Sequence, residues 1–169
     1  MTQLQDATPT ATPQLGALLD RLEISELIGR YVVSLDTAEE EGRDDDWYRG
    51  IFTDDVWLSF PIGERRGIDG LVEFHKRAKL AWEATLHVSG DHLVEVSGDR
   101  ARARAQIIGT HVSLGASPFL VDPTRRFDMG GYYDVEAVRT DAGWRIAGLR
   151  FVLVWTSGDG TVQGGSHQR

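Results

Sequence analysis

Asp36, His87 and His111 are the side chains of this sequence whose types suit proton transfer. An imidazole accepts a proton near neutral pH. A carboxylate that holds the proton of one ring nitrogen leaves the other nitrogen free to take one from a substrate. Each residue also has a plainer reading by itself. His111 suits a core histidine with both ring nitrogens satisfied, His87 an edge or turn residue, and Asp36 an acid just past a helix end. As a trio on one layout they favour chemistry, and either histidine suits the role of base.

The elements that would position them follow from periodicity. Leu18, Leu19, Leu22, Ile24, Leu27, Ile28, Tyr31, Val32 and Leu35 recur at steps of three and four, which predicts a first helix. Asp36 falls at the apolar edge of its last turn. The negative end of the helix dipole disfavours a carboxylate there, so Asp36 needs an imidazole, a cation or water as partner. "DTAEEEGRDDDW" reads as a solvated loop, and Trp47, Ile51 and Phe52 as a short amphipathic segment ending in a turn at "TDD". "VWLSFPI" is a strand that Pro61 ends or confines to an edge. "GIDGLVEFHKRAKLAWEA" is a further helix with Asp69 as its cap, and His75 on it is a surface or packing residue.

From residue 86 the period becomes two, which predicts four long strands at 86–99, 100–114, 126–140 and 143–155. "SGDR" and "TDAG" are hairpin turns between consecutive strands. Parity places Ala101, Ala103, Ala105, Ile107, Gly109, His111 and Ser113 on one face, small and apolar, as the wall of a cavity would be. The "SGD" after His87 can host a bulge that changes parity, so alternation leaves the face of His87 open. Tyr133 shares a face with Phe127, Met129, Val135 and Ala137, and it either polarises a carbonyl or packs. Helices followed by long antiparallel strands argue α+β, a curved antiparallel sheet with its helices on one face.

Other chemistries find little support. His87, Asp91 and His92 invite a metal, but no third conventional ligand follows at a recognised spacing, so no metal is expected. His167 lies in a Gly-rich terminal stretch and is a poor site residue. No GxSxG, GxxxxGK or strand-borne GxGxxG occurs. The chain has no cysteine, and its 26 acidic against 18 basic residues give a net charge of −8. That balance, without a basic cluster, disfavours nucleic acid. No apolar run suits a membrane helix or a signal peptide, so a cytoplasmic setting is expected. Residues 15–157 form a single domain between flexible tails at 1–14 and 158–169.

"RYVVSLD", "IFTDDVWLSF", "TLHVSGDHLVEVSGDRARA", "GTHVSL", "GGYYDVEAVRTDAGWRIAGL" and a closing Trp155 together resemble the SnoaL-like branch of the NTF2-like superfamily. Within it the pattern is similar to scytalone dehydratase and to the dehydrochlorinase that removes HCl from lindane. The resemblance implies a cone: a curved antiparallel sheet, N-terminal helices packed on its concave face, and a pocket that needs no cofactor. It implies that Asp36 is the family aspartate, His87 the histidine of its "TxH" opening, and His111 the second histidine of scytalone dehydratase. Leu35 and Phe60 stand where that enzyme has its two water-holding tyrosines, and Gly131 and Tyr133 near its serine and asparagine. These exchanges argue against scytalone as substrate. They leave a more apolar pocket, with Leu35, Phe60, Ile107, Met129 and Tyr133 as expected substrate contacts. The expected function is a cofactor-independent dehydratase, isomerase or cyclase acting on a small hydrophobic aromatic or polyketide-like molecule. The alternative is a non-catalytic ligand-binding or oligomer-forming module. A homodimer or homotrimer is expected, with the outward sheet face of Arg102, Arg104, Tyr132 and Glu136 suited to dimerisation.

Overall fold

A computed structural model of the chain describes residues 11–37, 42–113 and 126–158. His167 and Leu114 lie outside the described residues. The first helix, α1 (Ala11–Thr37), begins ahead of its leucine stripe, so residues 11–14 are helical instead of belonging to a tail. Ile24, Leu27, Ile28, Tyr31 and Val32 bury one face of its second half. Two carboxylates fix its direction. Asp20 accepts the Trp144 indole N–H at 3.1 Å and Glu23 accepts the Trp144 backbone N–H at 2.8 Å.

A single turn, α2 (Asp45–Arg49), follows, capped by the Asp44 carboxylate on Trp47 N at 2.9 Å. Strand β1 (Phe52–Phe60) then runs straight through "TDD", where the sequence predicts a turn. Its carbonyls explain this. Asp54 O accepts from Ile68 N and Val56 O from Gly67 N, so the backbone is paired while the acids point to water. Pro61 does end the strand, and β2 (Gly63–Arg66) returns beside it.

Helix α3 (Leu71–Lys79) is shorter than its helical spacing suggests, and Asp69 does not cap it. The cap comes from α2, whose Asp45 carboxylate accepts from Gly70 N at 2.8 Å and Val72 N at 3.2 Å. Asp69 instead pairs with Arg49 at 3.1 Å. His75 is a packing residue, 8% exposed. It stands among Tyr31, Tyr48 and Phe74, with Nε2 3.2 Å from the Tyr31 hydroxyl.

The long strands are β3 (Trp82–Ser97), β4 (Arg100–Ser113), β5 (Arg126–Thr140) and β6 (Gly143–Gly158). Trp82 leaves the helical region because its ring stacks on Phe127, centroids 5.9 Å apart, and this draws the chain into the sheet. The six strands lie in the order β2-β1-β6-β5-β4-β3. All neighbours are antiparallel except β1 and β6, which run parallel. The fold is α+β as expected, with this one parallel pair as the departure from an antiparallel sheet. Bulges in β3 and β6 bend the strands around α1. The core between helix and sheet includes Ala103, Ala105, Ile107, Val135, Leu149 and Trp144. No helix among the described residues is long and apolar enough to cross a membrane.

Candidate active site

One bulge decides which side chains of β3 share a face with α1. Thr85, His87 and Ser89 are the inward residues of its first half. The register then slips between Gly90 and Leu93, and Asp91 takes a positive φ of 50°. The extra residue inverts parity, so His92, Val94 and Val96 are inward in the second half. His87 is therefore inward, with the bulge placed after it at "SGD". His92 shares its face but has other work: Nδ1 is 2.7 Å from the Ser25 hydroxyl and Nε2 3.1 Å from that of Ser89. It ties α1 to the bulge. Among the described residues, no group of three or more histidine or acidic side chains is arranged to hold a metal.

Asp36 and His87 are brought together. The Asp36 Oδ1 is 2.7 Å from His87 Nδ1, with side-chain exposures of 13% and 7%. Asp36 also accepts from Thr85 Oγ1 at 2.7 Å and from the His87 backbone N–H, again at 2.7 Å. Lys79 Nζ donates to the Asp36 carbonyl at 2.8 Å and so caps the negative end of the helix. Half-burial pushes the Asp36 carboxyl up, but the hydrogen bonds from His87 and Thr85 outweigh it and hold the group below its ordinary value. A carboxylate only accepts, so His87 Nδ1 carries a proton, and in the neutral ring Nε2 is the nitrogen with the lone pair.

His111 completes the trio. Its ring meets that of His87 edge-on, centroids 5.0 Å apart. Its Nδ1 donates to the Phe127 carbonyl at 3.2 Å, which again leaves Nε2 as the lone-pair nitrogen. Trp82 and Phe127 flank the ring at 4.9 and 5.6 Å. Burial among them, followed by the neighbouring His87, pushes its pKa down to about 4. His111 is thus neutral at pH 7 and has no ionic proton to give. Neither Nε2 has a hydrogen-bond partner among the described residues.

Gly109, opposite His87 in the register, makes this geometry possible. A Cβ there would stand 2.8 Å from His87 Cδ2, 3.0 Å from His87 Nε2 and 2.9 Å from Met129 Cε. The imidazole therefore lies directly over a backbone that only glycine leaves bare.

The expected substrate contacts are more scattered. Met129 is half-buried beside His87. Leu35 lines a cavity of about 10 Å³, room for at most one water, with Ser34, Tyr48, Val72, His75, Lys76 and Lys79. Neither histidine of the trio borders that cavity. Phe60 stacks on Phe74 at 5.9 Å. Ile107 is a core residue, 1% exposed. Tyr133 is buried between Tyr31 and Phe151, and burial, then the Asp36 carboxylate, raises its phenol well above its usual value. Thr85 and Trp82 belong to the site although nothing in the sequence singled them out. Two-residue spacing from His87 was the available signal for Thr85; Trp82 offered none, being inside an apparent helix.

A family model described as a SnoaL-like domain matches residues 16–150. The protein Rv2910c of Mycobacterium tuberculosis is 31% identical over 132 residues, covering 75% of this chain and 80% of its own. The crystal structure of Kfla4162 from Kribbella flavida superposes with a TM-score of 0.70 at 28% identity, covering 83% of this chain and 95% of that one. A hexachlorocyclohexane dehydrochlorinase of Novosphingobium barchaimii superposes with a TM-score of 0.71 at 16% identity, covering 91% and 99%. An NTF2-like superfamily protein of Salmonella enterica gives 0.65 at 18% identity, covering 89% and 99%. At these last two identities the likeness is one of fold.

Proposed function

This chain belongs to the SnoaL-like domain family, and from that premise we propose that it is an acid–base enzyme in which Asp36 holds His87 as general base. The substrate is a small hydrophobic aromatic or polyketide-like molecule carrying a carbonyl or hydroxyl group. The reaction is a dehydration, isomerisation or cyclisation in which side chains alone move the proton. One observation carries this reading: a part-buried 2.7 Å contact between Asp36 and His87 Nδ1, with Nε2 left unpartnered among the described residues.

Nε2 of His87 takes a proton from the carbon beside the carbonyl, and the C–H electrons move into the enolate. The imidazolium so formed faces an ionised carboxylate, which stabilises its charge where little water screens it. The same imidazolium then returns the proton to a departing hydroxyl, giving dehydration, or to another carbon, giving isomerisation. His111, neutral and with Nε2 as acceptor, receives a hydrogen bond from a substrate hydroxyl and orients it. A positioned base of this kind contributes about 10²–10⁴-fold in rate. Trp82, Phe127 and Met129, next to the histidines, supply apolar and aromatic surface that suits a flat ring.

The test is α-proton exchange in D₂O, followed by NMR, on a panel of bicyclic aromatic ketones that includes 1-tetralone and 2-tetralone. The native chain accelerates exchange over buffer, and His87→Ala removes the acceleration. No acceleration on any member, or equal acceleration by His87→Ala, refutes the assignment.

A further inference from the structure

Helix α1 is apolar on two opposite sides. In its second half Ile24, Leu27, Ile28 and Tyr31 face the sheet and are at most 4% exposed. In its first half Leu15, Leu18, Leu19 and Leu22 are 55%, 59%, 55% and 62% exposed. At about 100° per residue the four leucines fall within an arc of roughly 100°, centred almost diametrically opposite the buried face. A helix that docks by one side cannot turn the other onto the same sheet. Four adjoining leucines at this exposure form a surface that calls for a partner.

We propose that the partner is a second copy of this chain, with the two α1 helices paired antiparallel about a twofold axis between Leu18 and Leu19. The stripe is a palindrome in spacing, because steps of three, one and three read the same in both directions. An isologous contact requires such self-complementarity. Antiparallel pairing sets Leu15 against the partner's Leu22 and Leu18 against the partner's Leu19. It also brings Glu26, the acid within the leucine arc, to the partner helix's first residue at position 11. That first turn carries no acidic residue of its own, so the positive end of its dipole is uncompensated within the helix. Parallel pairing would instead stack Glu26 on the partner's Glu26. Other parts of the chain fit the stripe poorly. The described strand ends on either side of 114–125 lie beside His111, at the Asp36 end of α1, about 20 Å along the axis from Leu22. Residues 1–10 and 159–169 offer few large apolar side chains, Met1, Leu4 and Val162.

Sedimentation velocity on the full chain at about 1–100 µM, a range that reaches interfaces smaller than the standard size, tests the proposal. The native chain forms dimers, and Leu18→Glu with Leu22→Glu weakens association at least about tenfold. Leu18→Ala with Leu22→Ala keeps strong helix formers and has the same direction of effect, with circular dichroism confirming an intact fold. Because the chain has no cysteine, orientation can be read by crosslinking. A mixture of Leu15→Cys and Leu22→Cys chains joins through a short bismaleimide, whereas Leu15→Cys alone does not. The proposal is overturned by a native chain that stays monomeric, by Ala variants that associate as tightly as native, or by Leu15→Cys joining to itself. It is overturned equally if Val88→Glu with Ile108→Glu, on the outer sheet face, abolishes association while the stripe variants leave it intact.

Discussion

Lowering the pH from 7 to 5 strips stability from this fold through two buried imidazoles. Burial, then Arg65, holds His75 at about 4. Burial, then His87, holds His111 at about 4. An unfolded histidine titrates near 6.5, so below that pH the unfolded chain binds protons that the folded chain refuses. The stabilisation is complete above about 6.5 and is lost as pH falls toward about 4. Between those values each histidine contributes a slope near 1.4 kcal/mol per pH unit, and at pH 5 each has cost about 2 kcal/mol. The pair together costs about 4 kcal/mol, a large share of the 5–15 kcal/mol of a typical domain. Urea unfolding at pH 7, 6 and 5 measures the slope. His75→Leu lowers stability at pH 7, since it leaves the buried Tyr31 hydroxyl without the imidazole, but it reduces the pH slope by about half. Native and His75→Leu curves that run parallel from pH 7 to 5 would show that the fold does not hold His75 neutral.

Gly109→Ala drives a methyl group into the His87 ring, only 2.8 Å from Cδ2. Ketone exchange falls at least about tenfold while Tm moves by only a few degrees, and adding Met129→Ala does not restore it, because the ring contact remains. Asp45→Ala removes the carboxylate that caps α3 from α2 and costs about 1–2 kcal/mol in urea unfolding. Asp69→Ala, predicted from sequence to have that effect, leaves α3 unaffected and loses only an exposed ion pair with Arg49.

Much of this arrangement is written in local patterns. The three- and four-residue steps to Leu35 place Asp36 at a helix end, and alternation in β4 places His111 inward. "SGD" marks the bulge that lets His87 and His92 share one face. What local pattern hides is settled by partners distant in sequence. Trp82 sits in a stretch of helix formers, yet stacking on Phe127 draws it into a strand. Asp69 has the position of a cap, but Asp45 reaches the helix from another element. The acids of "TDD" resemble a turn until the 66–68 segment pairs with their backbone. The parallel β1–β6 pair joins segments more than half the chain apart and leaves no trace in either. Parity puts Gly109 on the inner face, but only the fold shows an imidazole lying against it.

Whether Asp36 makes His87 a base is decided by Asp36→Asn. Asparagine keeps the shape but has one acceptor oxygen where the carboxylate uses two, so it accepts at either the Thr85 side or the His87 backbone N–H, and it cannot stabilise an imidazolium as a carboxylate does. Ketone α-proton exchange at pH 7 falls at least about 100-fold in this variant, with Tm within a few degrees of native. Exchange by the Asn variant within about threefold of the native rate overturns the Asp36 assignment, because the base would then owe nothing to the carboxylate.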